Sequence, residues 1–144
     1  MRRLSIRPLP RILSRLLLFL PLLLNLFWGD PLRAETRSFT DSITGAELLE
    51  LIEKGEAPLI LDVRTAREYK RGRIPGAINL HYREDFSLAL KLLGDRQKPL
   101  IIYCAYGPRA AWARRKLESL GFTNVITLTG HMAKWERERR PLER

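Results

Sequence analysis

Short apolar runs take turns along this chain with segments whose apolar residues recur every three or four positions. The runs at 59–63 (Leu-Ile-Leu-Asp-Val), 100–103 (Leu-Ile-Ile-Tyr) and 125–128 (Val-Ile-Thr-Leu) are nearly continuous and rich in β-branched residues, as strands covered on both faces require. A shorter run, Ile78-Asn79-Leu80, predicts a fourth strand. Between them lie helical patterns. Thr44-Gly45-Ala46-Glu47 is a capping box that opens a helix carrying Leu48, Leu49 and Ile52 on one face, with Gly55 as its stop. Residues 65–69 predict a helical turn, and Gly72 to Ala77 holds two glycines and a proline, a turn signal. Phe86, Leu90 and Leu93 predict one amphipathic helix ending at Gly94. Ala110, Ala113, Leu117 and Leu120 mark another, ending at Gly121, and residues 130–140 predict a last short helix with Trp135 as its core anchor. Strands alternating with helices at this spacing predict an α/β domain, a mainly parallel central sheet flanked by helices. Ligands of such sheets bind beyond the strand C-termini.

Residues 1–34 stand apart from this pattern. Arg2, Arg3, Arg7, Arg11 and Arg15 precede a nearly apolar stretch, 16–28, and a turn-prone exit ending at Ala34. This is the order of a secretory signal, and the apolar core is shorter than the roughly 20 residues of a spanning helix. It predicts export, to the periplasm in a cell that has one, with the domain occupying 35–144. Leu32 where a small residue is preferred leaves a second reading, an uncleaved N-terminal membrane anchor. The segment also changes the charge picture. The chain has 26 basic and 16 acidic residues, net +10; six of the basic and one of the acidic residues lie within 1–34, leaving 20 and 15, net +5. Half of the basicity thus belongs to targeting, and no nucleic-acid footprint remains. The remaining excess suits small anions or a plain solvated surface.

The candidate chemistry sits at the end of the 100–103 run. Cys104, the only cysteine, lies where a predicted strand passes into a loop, Ala105-Tyr106-Gly107-Pro108-Arg109, and then into a helix. The start of a helix presents unpaired N–H groups and partial positive charge, which favour an anion and the thiolate form of a cysteine. The backbone of residues 105–110 can form an anion cradle there, and Arg109 can add a fixed charge. A thiol so placed is a candidate nucleophile; the same residue also reads as a small buried hydrophobe. One cysteine excludes an intrachain disulfide. The two histidines, His81 and His131, form no zinc-like spacing, so neither metal nor cofactor is expected. Asp62, at the end of its run, reads as a structural carboxylate that pairs with an arginine or accepts loop N–H groups.

Four segments in order resemble the rhodanese-like sulfurtransferases: Leu61-Asp62-Val63-Arg64 with Glu68-Tyr69, the stretch from Gly72 to Asn79, the loop from Cys104 to Arg109, and Gly130 to Trp135. The resemblance covers about Thr44 to Trp135. It implies a rhodanese-like three-layer fold and a sulfurtransferase in which Cys104 takes sulfane sulfur from a small anionic donor, such as thiosulfate or polysulfide. The resulting persulfide passes the sulfur to a thiol or cyanide-like acceptor. The site residues expected on this basis are Cys104 as nucleophile and Ala105, Tyr106, Gly107, Arg109 and Ala110 around the donor. Arg109 is expected to orient the donor or steady the loop, and Asp62 and Arg64 to hold the strand ends. Cys-x4-Arg is the spacing of the sulfur-transferring members; the related phosphatases carry one more residue, which argues against a phosphatase or arsenate reductase. Three positions depart from the family pattern. Pro108 removes a cradle N–H, Arg73 replaces a common histidine, and His131 replaces a common glycine beside the site. A sulfur-carrier or protein-binding module of the same fold, with little turnover, is the alternative.

Overall fold

The computed structural model describes residues 41–88 and 90–144, so the targeting segment expected at 1–34 lies outside the described residues. Five strands form one sheet: β1 (Ser42–Ile43), β2 (Leu59–Asp62), β3 (Ile78–Asn79), β4 (Leu100–Tyr103) and β5 (Val125–Leu128). Their order is β1-β5-β4-β2-β3, and every pairing is parallel. The most apolar runs therefore take the centre, where both faces are covered. The helices are α1 (Gly45–Glu53), α2 (Ala66–Arg71), α3 (Leu90–Leu93), α4 (Pro108–Ser119) and α5 (His131–Arg137). Among the described residues no helix is long and apolar enough to cross a membrane.

Alternation along β4 divides the core into two layers. Leu100, Ile102 and Cys104 pack with Leu93 of α3 and with Ala110, Ala113 and Leu117 of α4. Ile101 and Tyr103 face the other side, with Leu48 and Leu51 of α1 and Met132 and Trp135 of α5. Trp135 anchors that second layer, buried to 1 % exposure, its indole N–H donating to the Pro141 carbonyl at 2.8 Å. The domain is thus helix, sheet and helix, the three-layer α/β arrangement expected from the sequence.

Several boundaries differ from the sequence pattern, each for a local reason. α3 spans only Leu90–Leu93. Phe86 is fully buried but lies in a turn, because the Asp85 carboxylate takes both the N–H (2.9 Å) and the hydroxyl (2.6 Å) of Ser87. Such a side-chain turn competes with a helix. α4 begins at Pro108, two residues before the apolar periodicity does. Proline suits that first position, since its missing N–H would have no intrahelical partner. β1 has no apolar run to announce it. It holds the sheet edge through Thr127 N–H to Asp41 O (3.0 Å) and Thr129 N–H to Ile43 O (2.8 Å).

Candidate active site

The C-terminal ends of β2 and β4 lie side by side, with Asp62 opposite Tyr103 in the register. Beyond them a buried ion pair sets the floor. The Asp62 carboxylate accepts from the Arg64 backbone N–H (2.9 Å) and from its Nε and Nη2 (3.0 and 2.6 Å), and Arg64 Nη2 also donates to the Gly72 carbonyl (2.7 Å). Asn79 completes the network by donating to the backbone carbonyls of Asp62 and Arg64 (2.8 and 2.9 Å). β2, β3 and the turn at Gly72 are thereby locked together where the chain leaves the sheet. Asp62 and Arg64 both sit in this network; Asn79, which the sequence pattern did not single out, is its third member.

Cys104 follows β4 and is 1 % exposed. The chain turns at Gly107, whose φ of +130° is open only to glycine without strain. That turn brings the Gly107 N–H to 3.0 Å from Cys104 Sγ. The sulfur is thus the acceptor of a main-chain donor. The α4 N-terminus begins at the next residue, so the N–H groups of Arg109 and Ala110 lie in a first turn that has no intrahelical acceptors for them. The Ala110 methyl is buried in the core layer that also contains Cys104. Ala105 lies half-buried on the loop, and Tyr106 is 81 % exposed, its ring carried out toward solvent.

The Arg109 guanidinium is engaged by a carboxylate of α2. Its two terminal nitrogens donate to the two oxygens of Glu68, each at 2.8 Å. Glu68 also closes a capping box at the start of α2, accepting from the Thr65 N–H (3.0 Å) and hydroxyl (2.7 Å). The Arg109 guanidinium, and after it the Thr65 donors, hold the Glu68 carboxyl well below the usual carboxylate range. One carboxylate therefore ties the loop-bearing end of α4 to the start of α2. The sequence repeats the Thr-x-x-Glu box of residues 44–47 at 65–68, where a helical turn is expected and α2 begins; the partnership with Arg109 has no local signature.

The first turn of α5 closes the site from the other side. Met132 N–H donates to the Cys104 carbonyl (3.0 Å) and Ala133 N–H to the Ala105 carbonyl (3.1 Å). Beside the loop lies a cavity of about 160 Å³ between α2 and α5, lined by Ala105, Tyr106, Arg64, Arg71, Met132 and Glu136 among others. Arg71, Met132 and Glu136 were not among the residues expected at the site. Among the described residues no cluster of three or more metal-binding side chains occurs.

A parallel α/β sheet thus carries a single thiol at the C-terminal end of its central strand, beside a loop whose backbone N–H meets the sulfur. The rhodanese-like domain family matches residues 44–138, and the chain belongs to that family. Similar to it are a thiosulfate:glutathione sulfurtransferase of Saccharomyces cerevisiae, 30 % identical over 78 % of this chain and 89 % of that protein, and the HTH-type transcriptional regulator Rv0324 of Mycobacterium tuberculosis, 41 % identical over 66 % of this chain. The chain spans only 41 % of that regulator's length. Among solved structures, a rhodanese-related protein from Thermoplasma volcanium is 31 % identical with a TM-score of 0.59, over 72 % of this chain and 98 % of that one.

Proposed function

We propose that this protein is a sulfurtransferase that moves sulfane sulfur from a small anionic donor to a thiol acceptor through a persulfide on Cys104. The observation that carries the reading is the Gly107 N–H held 3.0 Å from Cys104 Sγ at the mouth of a helix. With thiosulfate as donor, the Cys104 thiolate attacks the outer sulfur. A new S–S bond forms, the old S–S bond breaks, and sulfite leaves with the bonding electron pair. The persulfide keeps the single negative charge that the thiolate brought, so the same N–H groups serve both states. An acceptor thiolate then attacks the terminal sulfur, and the Cys104 thiolate departs. The activity named for the yeast relative supports a thiol such as glutathione as acceptor. The charged side chains of Arg71 and Glu136 on the cavity wall suit a ligand bearing both carboxylate and ammonium groups.

The test is intact mass spectrometry of the purified chain after exposure to thiosulfate or polysulfide, with and without cyanide. Cys104 should gain one sulfur that cyanide removes. Cys104→Ser should fold and gain none; retained transfer in that variant would sink the assignment. Burial of the thiol, at 1 % exposure, favours a second reading, a sulfur carrier that loads and unloads slowly. Steady-state turnover with a thiol acceptor separates the two: loading without turnover selects the carrier. The basic and apolar order of residues 1–34 supports a companion proposal, export of the domain on that segment, which N-terminal sequencing of the exported protein would check.

A further inference from the structure

One side chain that meets the sulfur loop is not used by the reaction above. His131 opens α5 in the left-handed region (φ +51°), directly after Gly130 (φ +75°). Few side chains accept that conformation, and a non-glycine residue there carries a backbone cost. The turn places the imidazole, 9 % exposed, against both ends of the loop. Its Nδ1 accepts a long hydrogen bond from the Cys104 backbone N–H at 3.4 Å. Its Nε2 lies over Gly107, so close that a Cβ on that glycine would meet it at 3.2 Å. Gly107 in turn supplies the N–H to the sulfur. The next residue, Met132, takes the Cys104 carbonyl. The nucleophile's own peptide groups are thus held at N–H and C=O by two consecutive residues of α5.

We infer that His131 is a positioning residue of the sulfur site, whose neutral imidazole fixes the turn from Cys104 to Gly107 and makes the reactivity of the thiol depend on the state of that ring. Accepting at Nδ1 requires that the ring proton sit on Nε2. A second proton would occupy Nδ1, remove the acceptor and set two N–H groups against each other. Burial holds the ring below its ordinary value of 6.5, with no charged group contributing. On the elements that bear the loop and the ring, the charged and titratable groups are the Cys104 thiol after β4, Arg109 of α4 in its pair with Glu68 of α2, and Lys134 of α5 in its pair with Glu138. The neutral, gripping form therefore holds at pH 7 and gives way on the acid side.

This role rests on Cys104 being a reactive thiol, so the experiment reads the thiol directly as well as through sulfur transfer. The full chain would be compared with His131→Asn and His131→Gly. Both replacements suit a positive φ, so both should fold; the asparagine carbonyl can still accept from Cys104 N–H, whereas glycine cannot. Because the chain has one cysteine, alkylation by iodoacetamide followed by intact mass reports Cys104 alone. The wild-type rate should show an extra acid-side break below the ordinary histidine value, at the pH where nitrogen-15 NMR sees His131 titrate. Both variants should lose that break. At pH 7.5 the rate of sulfur loading should fall about five- to tenfold in His131→Gly, the size of one lost hydrogen bond, and be largely restored in His131→Asn. A ring proton found on Nδ1, or one alkylation profile common to all three proteins, would overturn the inference. If no protein loads sulfur, the proposed transferase activity fails, and the NMR and alkylation profiles still decide the role of His131.

Discussion

Replacing Glu68 tests whether the loop end of α4 is held by one carboxylate. In the wild type that carboxylate accepts two guanidinium N–H groups from Arg109 and two donors from Thr65. Glu68→Ala removes both sets; Glu68→Gln keeps an oxygen for the Thr65 donors and loses the charge. A helix cap contributes about 1 kcal/mol. The Arg109–Glu68 pair is bidentate, which strengthens it, but its side chains are 26 % and 23 % exposed, and solvent screening holds it to about 1 kcal/mol. Glu68→Ala should therefore cost about 2 kcal/mol in urea unfolding at pH 7, and Glu68→Gln about half as much. A cycle with Arg109→Ala should return a coupling of about 1 kcal/mol.

The pH dependence gives the sharper check. Arg109 holds the folded Glu68 carboxyl below its unfolded value near 4.5, so in that range the unfolded state binds the proton first. The stabilisation is complete above that value and is lost as the pH falls through the lower folded one. The gap between wild type and Glu68→Ala should narrow below pH 4.5. Equal losses in the two variants would refute the division between cap and charge, and a gap that widens in acid would refute the pairing itself.

Gly107→Ala should cost at least 1 kcal/mol in thermal or urea unfolding and slow Cys104 loading more than tenfold, since alanine is strained at φ +130° and its methyl would press on His131. Asp62→Ala should lower stability by about 3–5 kcal/mol in urea titration, because it leaves the Arg64 guanidinium buried without its carboxylate; a loss under 1 kcal/mol would mean that Gly72 and water hold Arg64 unaided. Leu117→Ala should cost about 2–5 kcal/mol by the same assay, since Leu117 is fully buried on the core face of α4, and a loss under about 1 kcal/mol would contradict that packing.

What could be read along the chain was what depends on neighbours in sequence. The runs that became β2, β4 and β5 were legible because a strand buried on both faces has no polar side to blur it. The place of Cys104 followed from the run before it and the periodicity after it. The two-residue strand β1 was not legible, since Ser42 and Ile43 form a strand only because β5 offers an edge. The length of α3 was misread because apolar spacing at Phe86, Leu90 and Leu93 ignores the turn that Asp85 imposes. The site's side-chain ties were beyond local reading for the same reason: Glu68 reaches Arg109 across 41 positions, and His131 reaches Cys104 across 27.

Those ties bear on which anion the loop serves. Binding a tetrahedral oxyanion calls for a fork of donors, the role arginine plays best through its paired terminal nitrogens. Here both terminal nitrogens of Arg109 are engaged by Glu68, so a phosphate would have to compete with a carboxylate that also caps a helix. A thiolate or persulfide makes a different demand. Its charge rests on one atom at a time, where a single backbone N–H such as that of Gly107 can meet it. Pro108 fits this division: it removes a donor but starts α4 immediately after the turn, keeping the helix N-terminus beside the sulfur. The Gly107 N–H at Sγ is a main-chain donor that no side-chain substitution deletes outright. Variation among side chains is left to act at the cavity beside the loop, lined by Tyr106, Arg71 and Glu136 among others.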